Sequence, residues 1–440
     1  MDLPTPPLGQ ATNATKRQKA DALRKAGKHE EAAVEYAAIW PDGDRWTGWG
    51  YAYCLRKLKR VSEAVAVSRQ VYALDPKFKY GRSMLAWCLY GSIHDLTQPS
   101  QELRAGARTI VELTEKEDNK YDNRNPFAIT VLRVAKVLCR AGRDAQALEW
   151  LAKLEPTQLD TTEFAFEDEK GRLRKFGSKR ETYYALRTHA LEHLKKWDEC
   201  LEVATVAIAA CRPLHHDNDV WFARRIALAK CRLGRLQEGV PELEALLVRK
   251  ETSFLHTDIA RAVLELADFD KAFNHALAAL LSPGEIKFKL TALSIMAKVL
   301  SATGRQTEAL KHLELAIAAR KQLQWKPDSE NTDLGGQWGA NADPGNPDDR
   351  LKELRLLWTQ WDQADNPRHT GEIERLLPHG RSGFLRGKNK ERFYFEVREW
   401  RDRKMKPEPG ARVTFKTRSS FDKKHQRASV IAQDIRLARS

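Results

Sequence analysis

Few residues of this chain stand at spacings that do chemistry. His189 and His193 frame the run His189-Ala190-Leu191-Glu192-His193 and lie one helical turn apart, a spacing that lets two imidazoles share a metal ion. The glutamate is not where a zinc protease places its general base, so the pair reads as surface histidines and no metal is expected. His215, His216 and Asp217 read as a polar loop. The chain has no phosphate-cradling P-loop, dinucleotide glycine fingerprint, nucleophile elbow or kinase motif. Its many acidic residues fall on helical patterns, where i,i+4 ion pairs are their ordinary use. Neither catalysis, a cofactor nor a small-molecule substrate is expected.

The remaining chemistry is electrostatic. Twenty Lys/Arg and nine Asp/Glu fall between Arg368 and Ser440, a net of +11 in a chain whose total is +15. Such asymmetry suggests a polyanion partner, with a solvated basic tail as the plain alternative. The six cysteines (Cys54, Cys88, Cys139, Cys200, Cys211 and Cys231) are scattered, form no CxxC pair and read as buried free thiols. No run approaches the ~20 apolar residues of a membrane span. The polar N-terminus, 1–13, reads as a disordered leader rather than a signal peptide, and a cytoplasmic location is expected.

The elements that must position these residues are mainly helices, and 440 residues are too many for one core unless the core is a stack of repeats. A turn residue is followed five positions later by a small residue at Gly27/Ala32, Lys59/Ala64, Gly142/Ala147, Lys195/Cys200, Gly234/Gly239, Ala267/Ala272 and Gly304/Ala309. Another small residue precedes each second member by twelve: Ala20, Ala52, Ala135, Thr188, Ala227, Ala260 and Ala297. Two helices joined by a short turn approach closely only where neither side chain has bulk. A degenerate unit must fill the long gap around Phe78 to Lys116. The excess at 157–181 alternates apolar and polar residues and reads as a β-hairpin or ordered loop.

These positions resemble the tetratricopeptide repeat (TPR) over 14–322, which implies an α-solenoid of helical hairpins. In that family the first helix of each pair lines a groove. The resemblance therefore assigns Tyr53, Lys136, His189, Arg261 and Lys298 to such a groove, with Trp46, Trp49, Arg56, Arg140 and Arg224 beside them. An acidic peptide or phosphates would suit it, and solvated cations on a helix array are the alternative. Helical periodicity stops near Gln322. Gly, Pro, Asn and Asp then mark 323–347 as a flexible linker. A bridging helix follows over 348–363, capped by Asp348 or Asp349, with Leu351, Leu354, Trp358 and Trp361 on one face.

From His369 the period changes to two, giving five candidate strands in about 70 residues, which suggests an OB-type β-barrel. The order of motifs over 368–440 resembles the cold-shock domain: Gly371 to Leu376, Gly380 to Leu385, Phe393-Tyr394-Phe395-Glu396, Gly410 to Phe415, and Arg427 to Val430. The resemblance implies binding of single-stranded RNA or DNA by stacking on Phe384 and Tyr394. It also departs from the family's pattern. Arg375 stands at the family's tryptophan, Ser382 at its first phenylalanine and Glu396 at its histidine. Arg375 and Arg381 can stack as well as pair with phosphate, and Arg386, Lys388, Lys390, Arg392, Lys416, Arg418, Lys423 and Lys424 supply further charge. The expectation is a multidomain α + β chain, a TPR-like α-solenoid followed by a small five-stranded barrel. It would serve as a non-catalytic adaptor between RNA and a protein partner. The alternative is a scaffold whose barrel docks protein.

Overall fold

The computed structural model describes residues 8–40, 42–167, 171–341, 345–365, 367–402, 405–422 and 427–438. Sixteen helices pair as hairpins: α1 (Leu8–Lys25) with α2 (His29–Ala37), α3 (Arg45–Lys57) with α4 (Val61–Leu74), α5 (Lys79–Ile93) with α6 (Gln101–Thr114), and α7 (Phe127–Arg140) with α8 (Asp144–Leu151). The rest are α9 (Lys179–His193) with α10 (Trp197–Ala210), α11 (Asn218–Arg232) with α12 (Leu236–Arg249), α13 (Ser253–Glu265) with α14 (Phe269–Leu281), and α15 (Leu290–Ala302) with α16 (Gln306–Gln322). They form a TPR-like solenoid. α5 and α6 are the degenerate unit expected around Phe78 to Lys116. The chain divides into two compact units, 1–226 and 227–440.

Seven of the eight hairpins turn the same way, and the sequence says why. Gly27, Lys59, Gly142, Lys195, Gly234, Ala267 and Gly304 all have positive φ. In each turn the next residue donates its backbone N–H to the carbonyl five residues back, as from Arg143 to Leu138 at 2.9 Å and from Arg305 to Leu300 at 2.8 Å. The turn residue itself donates three back, as from Gly142 to Cys139 at 3.0 Å. This is the Schellman closure, which satisfies the last carbonyls of a helix through one left-handed residue. Where the paired helices meet, Ala20, Ala52, Ala135, Thr188, Ala227, Ala260 and Ala297 are all fully buried. So are Ala32, Ala64, Ala147, Cys200, Ala272 and Ala309. At Gly239 even a methyl group would stand 2.4 Å from Cys231 Sγ and 2.5 Å from the Ala227 carbonyl oxygen.

In the first unit, the stretch after α8 forms the expected hairpin, β1 (Phe164–Glu167) antiparallel to β2 (Leu173–Phe176). It is tied to the helices by His215, whose Nδ1 meets Glu181 Oε2 at 2.9 Å and whose Nε2 meets Glu163 Oε2 at 2.8 Å. The two carboxylates raise the pKa of that imidazole. All six cysteines are buried and free. α1 begins at Leu8, inside the stretch read as a disordered leader; residues 1–7 lie outside the described residues.

In the second unit, the stretch read as a linker holds a helix, α17 (Ser329–Trp338). Asp328 caps it by accepting from the Asn331 N–H at 3.1 Å, and Gly339 ends it at φ 71°. Its Gly335 is buried, with room for no more than a tight contact against Ile317. These short-range signals sit among Gly and Asn residues that hide the period. The next helix, α18 (Pro347–Asp365), is capped by Asn346, which accepts from the Asp348 N–H at 2.9 Å, rather than by Asp348 or Asp349. Its apolar face docks on the array: Trp358 is fully buried and donates its indole N–H to His312 Nε2 of α16 at 2.7 Å, and Trp361 stacks on the same imidazole.

The five expected strands form a closed barrel: β3 (His369–Leu376), β4 (Ser382–Gly387), β5 (Arg392–Glu396), β6 (Arg412–Asp422) and β7 (Arg427–Leu437). Their order is β3-β4-β5-β7-β6, closing back on β3, with β5 and β7 parallel and every other pair antiparallel. Period-two alternation sends Ile373, Leu385, Phe395, Val413, Phe415 and Ala432 inward, and Ile435, past the positive φ of Asp434, joins them in one buried core. Gly383 faces this core where a Cβ would lie 2.5 Å from the Arg375 carbonyl oxygen and 2.8 Å from the Phe395 ring. Arg368 reinforces the barrel by bonding Asp434 on β7 and both the hydroxyl and the carbonyl of Thr414 on β6.

Candidate nucleic-acid interface

The same alternation that fills the barrel places the other residues of β3, β4 and β5 on its outer face. Phe384 of β4 is registered against Arg375 of β3 and Tyr394 of β5. The Phe384 and Tyr394 rings are 5.7 Å apart, edge to face. The Arg392 guanidinium lies 4.3 Å and that of Arg375 5.5 Å from the Phe384 centroid. Both rings are half-buried, while Arg375, Arg386 and Arg392 are exposed. Four residues singled out from the sequence, Arg375, Phe384, Arg392 and Tyr394, therefore form one patch. Such a patch can stack a base on an aromatic face and neutralise the adjoining phosphate with a guanidinium.

The patch also holds acids. Alternation from the inward Ile373 sends Glu374 outward, and the β-bulge between Ile373 and Arg375 brings Arg375 out beside it; Glu374 pairs with Arg392 at 2.8 Å and reaches Arg386 at 3.7 Å. An anion approaching this face would compete with Glu374 for Arg392. Period two marks Glu374 as outward, but no local signal marks its partners, which lie on β4 and β5. Arg381 is exposed in the β3–β4 turn, and Lys388 and Lys390 are exposed in the β4–β5 turn. A groove of about 760 Å³ runs beside the patch, lined among others by Glu372, Arg386, Lys388 and Arg412.

Lys416 departs from its expected role. It is 6 % exposed, and its ammonium bonds the Asp362 carboxylate of α18 and, at 3.2 Å, the Asp362 carbonyl oxygen. A β-bulge between Thr414 and Lys416 shifts the register of β6 there. Lys416 is thus an internal ion pair and not part of the outer face. Arg418 lies on β6 opposite Ile431, and Lys423 and Lys424 lie outside the described residues.

The residues assigned to the helical groove fall into separate groups. Trp46, Trp49 and Tyr53 of α3 cluster with Phe78 and Tyr80. Arg24 lies over both Trp49 and Tyr53, and Arg56 lies over Trp87. Lys136 and Arg140 follow Arg133 along α7; these guanidiniums and partial burial lower the Lys136 pKa, burial being the larger cause. Arg224 is held by Glu192 at 2.7 Å. In the second unit, burial and Arg232 lower the pKa of Arg261, and Lys298 is paired with Glu330 of α17. His189 is half-buried rather than on the surface and lies against His193 and Asp144.

No protein-family model matches the chain, and no curated protein matches it. Among solved structures it is similar to the APC/C hetero-tetramer Cut9-Hcn1, with 13 % identity and a TM-score of 0.37. That match covers 73 % of this chain and 58 % of the other, so it spans little more than half of that protein. The human IFIT1 dimer with m7Gppp-AAAA matches 78 % of this chain and 80 % of its own, with 14 % identity and a TM-score of 0.34. The C-terminal part of a TPR repeat-containing protein from Cytophaga hutchinsonii matches 62 % of this chain and 97 % of its own, with 14 % identity and a TM-score of 0.37. Among the described residues no helix is long and apolar enough to cross a membrane.

Proposed function

We propose that the chain is a non-catalytic adaptor that binds single-stranded nucleic acid, RNA foremost, on the outer face of its barrel and holds a protein partner on its helical array. The observation that carries this reading is the patch itself: two aromatic rings in cross-strand register, with two guanidiniums against one of them. We further read the barrel as OB-type and of cold-shock kind. Its strand order, with the third strand parallel to the fifth, supports that reading. The aromatic and cationic cluster on α3 and the cations of α7 suit a partner of acidic character. Six free, buried thiols suit a reducing compartment, so the cytoplasm is the location proposed.

Binding here leans on phosphate more than on stacking, because the patch offers the rings of Phe384 and Tyr394 and Arg392 lies over one of them. The test is fluorescence anisotropy of the full chain with a labelled single-stranded RNA across a salt series. The expected result is submicromolar binding at low salt that weakens steeply as salt rises. Phe384→Ala combined with Tyr394→Ala should reduce it at least tenfold with the fold retained. Unchanged affinity in that double variant overturns the reading. Partner capture that survives nuclease while RNA fails to bind would point instead to a barrel that docks protein.

A further inference from the structure

The helical array holds a second cluster of chemical groups, distant in sequence from the barrel. His189 and His193 stand on one face of α9, four residues apart, with ring centroids 4.0 Å from each other. The first residue of α8, Asp144, points its carboxylate at them, and His193 Nδ1 lies 3.2 Å from Asp144 Oδ2. One ligand atom from each of the three residues lies within 4.8 Å of the others. We infer that Asp144, His189 and His193 form a binding site for a divalent transition-metal ion of the zinc class.

Two observations support this. The donor set is two imidazoles and one carboxylate, which zinc and its neighbours accept with a further position left for water. Donors bonded tetrahedrally to zinc at ~2.0–2.1 Å lie roughly 3.4 Å apart. The 3.2 Å from His193 to Asp144 already matches such an edge, and a ligand atom of His189 lies within 4.8 Å of both. Next, Asp144 is 6 % exposed, and its other oxygen, Oδ1, is buried with no hydrogen-bond partner. A buried carboxylate oxygen without a partner is costly, and a cation held by both oxygens of Asp144 would offset that cost.

The surrounding charges allow the ion. Arg225, which faces His189, is itself held by Glu192 at 2.9 Å. Glu192 also holds Arg224 at 2.7 Å, so this acid and its two guanidiniums leave one positive charge, which the Asp144 carboxylate offsets. When the ion binds, it takes the place of the hydrogen that His193 Nδ1 shares with Asp144, and the neutral ring carries its proton on Nε2. The ion would pin α9 to α8.

The test is calorimetric titration of the full chain with Zn²⁺, with Co²⁺ absorption as a second readout. The expected result is one Zn²⁺ per chain, a four-coordinate Co²⁺ band, and a rise in the melting temperature on adding metal. His193→Ala and Asp144→Asn should each weaken binding at least tenfold and remove the Co²⁺ band, while His94→Ala leaves both unchanged. His193 is 48 % exposed, so its truncation leaves the fold intact even if Asp144→Asn does not. Absence of Zn²⁺ binding by the folded wild type, or equal binding by His193→Ala, overturns the inference.

Discussion

The three hairpin turns that use a side chain in place of glycine carry a stability penalty that can be removed. Lys59, Lys195 and Ala267 stand at φ of 59°, 57° and 57°, where Gly27, Gly142, Gly234 and Gly304 stand in the equivalent turns. A left-handed conformation costs an L-residue about 1–2 kcal/mol, and glycine gives back part of that through its freer unfolded chain. Lys59→Gly and Lys195→Gly should therefore each stabilise the first unit by about 0.5–1 kcal/mol. Together they should raise its melting temperature by roughly 2–6 °C. The reciprocal change isolates the cause. At Gly142 a Cβ would meet nothing within 4 Å, so Gly142→Ala brings no clash, and its expected net cost of about 0.5–1 kcal/mol is backbone strain less the entropy alanine removes from the unfolded chain. Arg69→Gly, within α4, is the control, because glycine in a helix interior costs about 1 kcal/mol. Urea unfolding of the full chain, followed by circular dichroism and calorimetry, reads all four variants. A neutral Gly142→Ala, or a Lys59→Gly that destabilises as Arg69→Gly does, would refute the reasoning.

Three further outcomes follow from the geometry. Arg375→Ala should lower the salt slope of RNA binding by about one, as loss of one phosphate contact does, whereas Lys416→Met should leave that slope unchanged because its ammonium is spent on Asp362; anisotropy across a salt series distinguishes them. Trp358→Phe leaves His312 Nε2 without its donor in a buried site and should cost about 1–3 kcal/mol by urea unfolding; a cost under about 0.5 would show that the bond is replaced. Burial holds His256, His275 and His312 down to about 4, so they stay neutral in the folded second unit while the unfolded chain protonates near 6.5. Stability should thus be full above pH ~6.5 and fall as the pH drops toward 4, and denaturation midpoints at pH 7 and pH 5 test that sign.

What could be read in the sequence was what depends on near neighbours. A Schellman turn needs one left-handed residue, and close helices need small residues five positions after it and seven before it; all of these are local. The alternation that sends Leu385 in and Phe384 out is local as well, and so the barrel face could be read before its neighbours were known. What could not be read depends on partners far along the chain. Lys416 looked like one more cation because Asp362 lies 54 residues away. The histidine pair on α9 looked superficial because Asp144 lies 49 residues before His193. α17 was hidden because Asn331, Gly335 and Gly336 interrupt the apolar period that its packing does not need.

The Lys416–Asp362 pair has a practical consequence for dissecting the chain. Asp362 and Trp358 sit one turn apart on α18, so one helix serves both the last hairpin of the array and the barrel. A fragment cut at residue 367 would look like a complete barrel in sequence, yet it would release the Lys416 ammonium from its carboxylate. That cation would then be available to phosphate, adding about one to the apparent salt slope and flattering the affinity of the truncated piece. A cut ahead of Pro347 keeps the lysine neutralised.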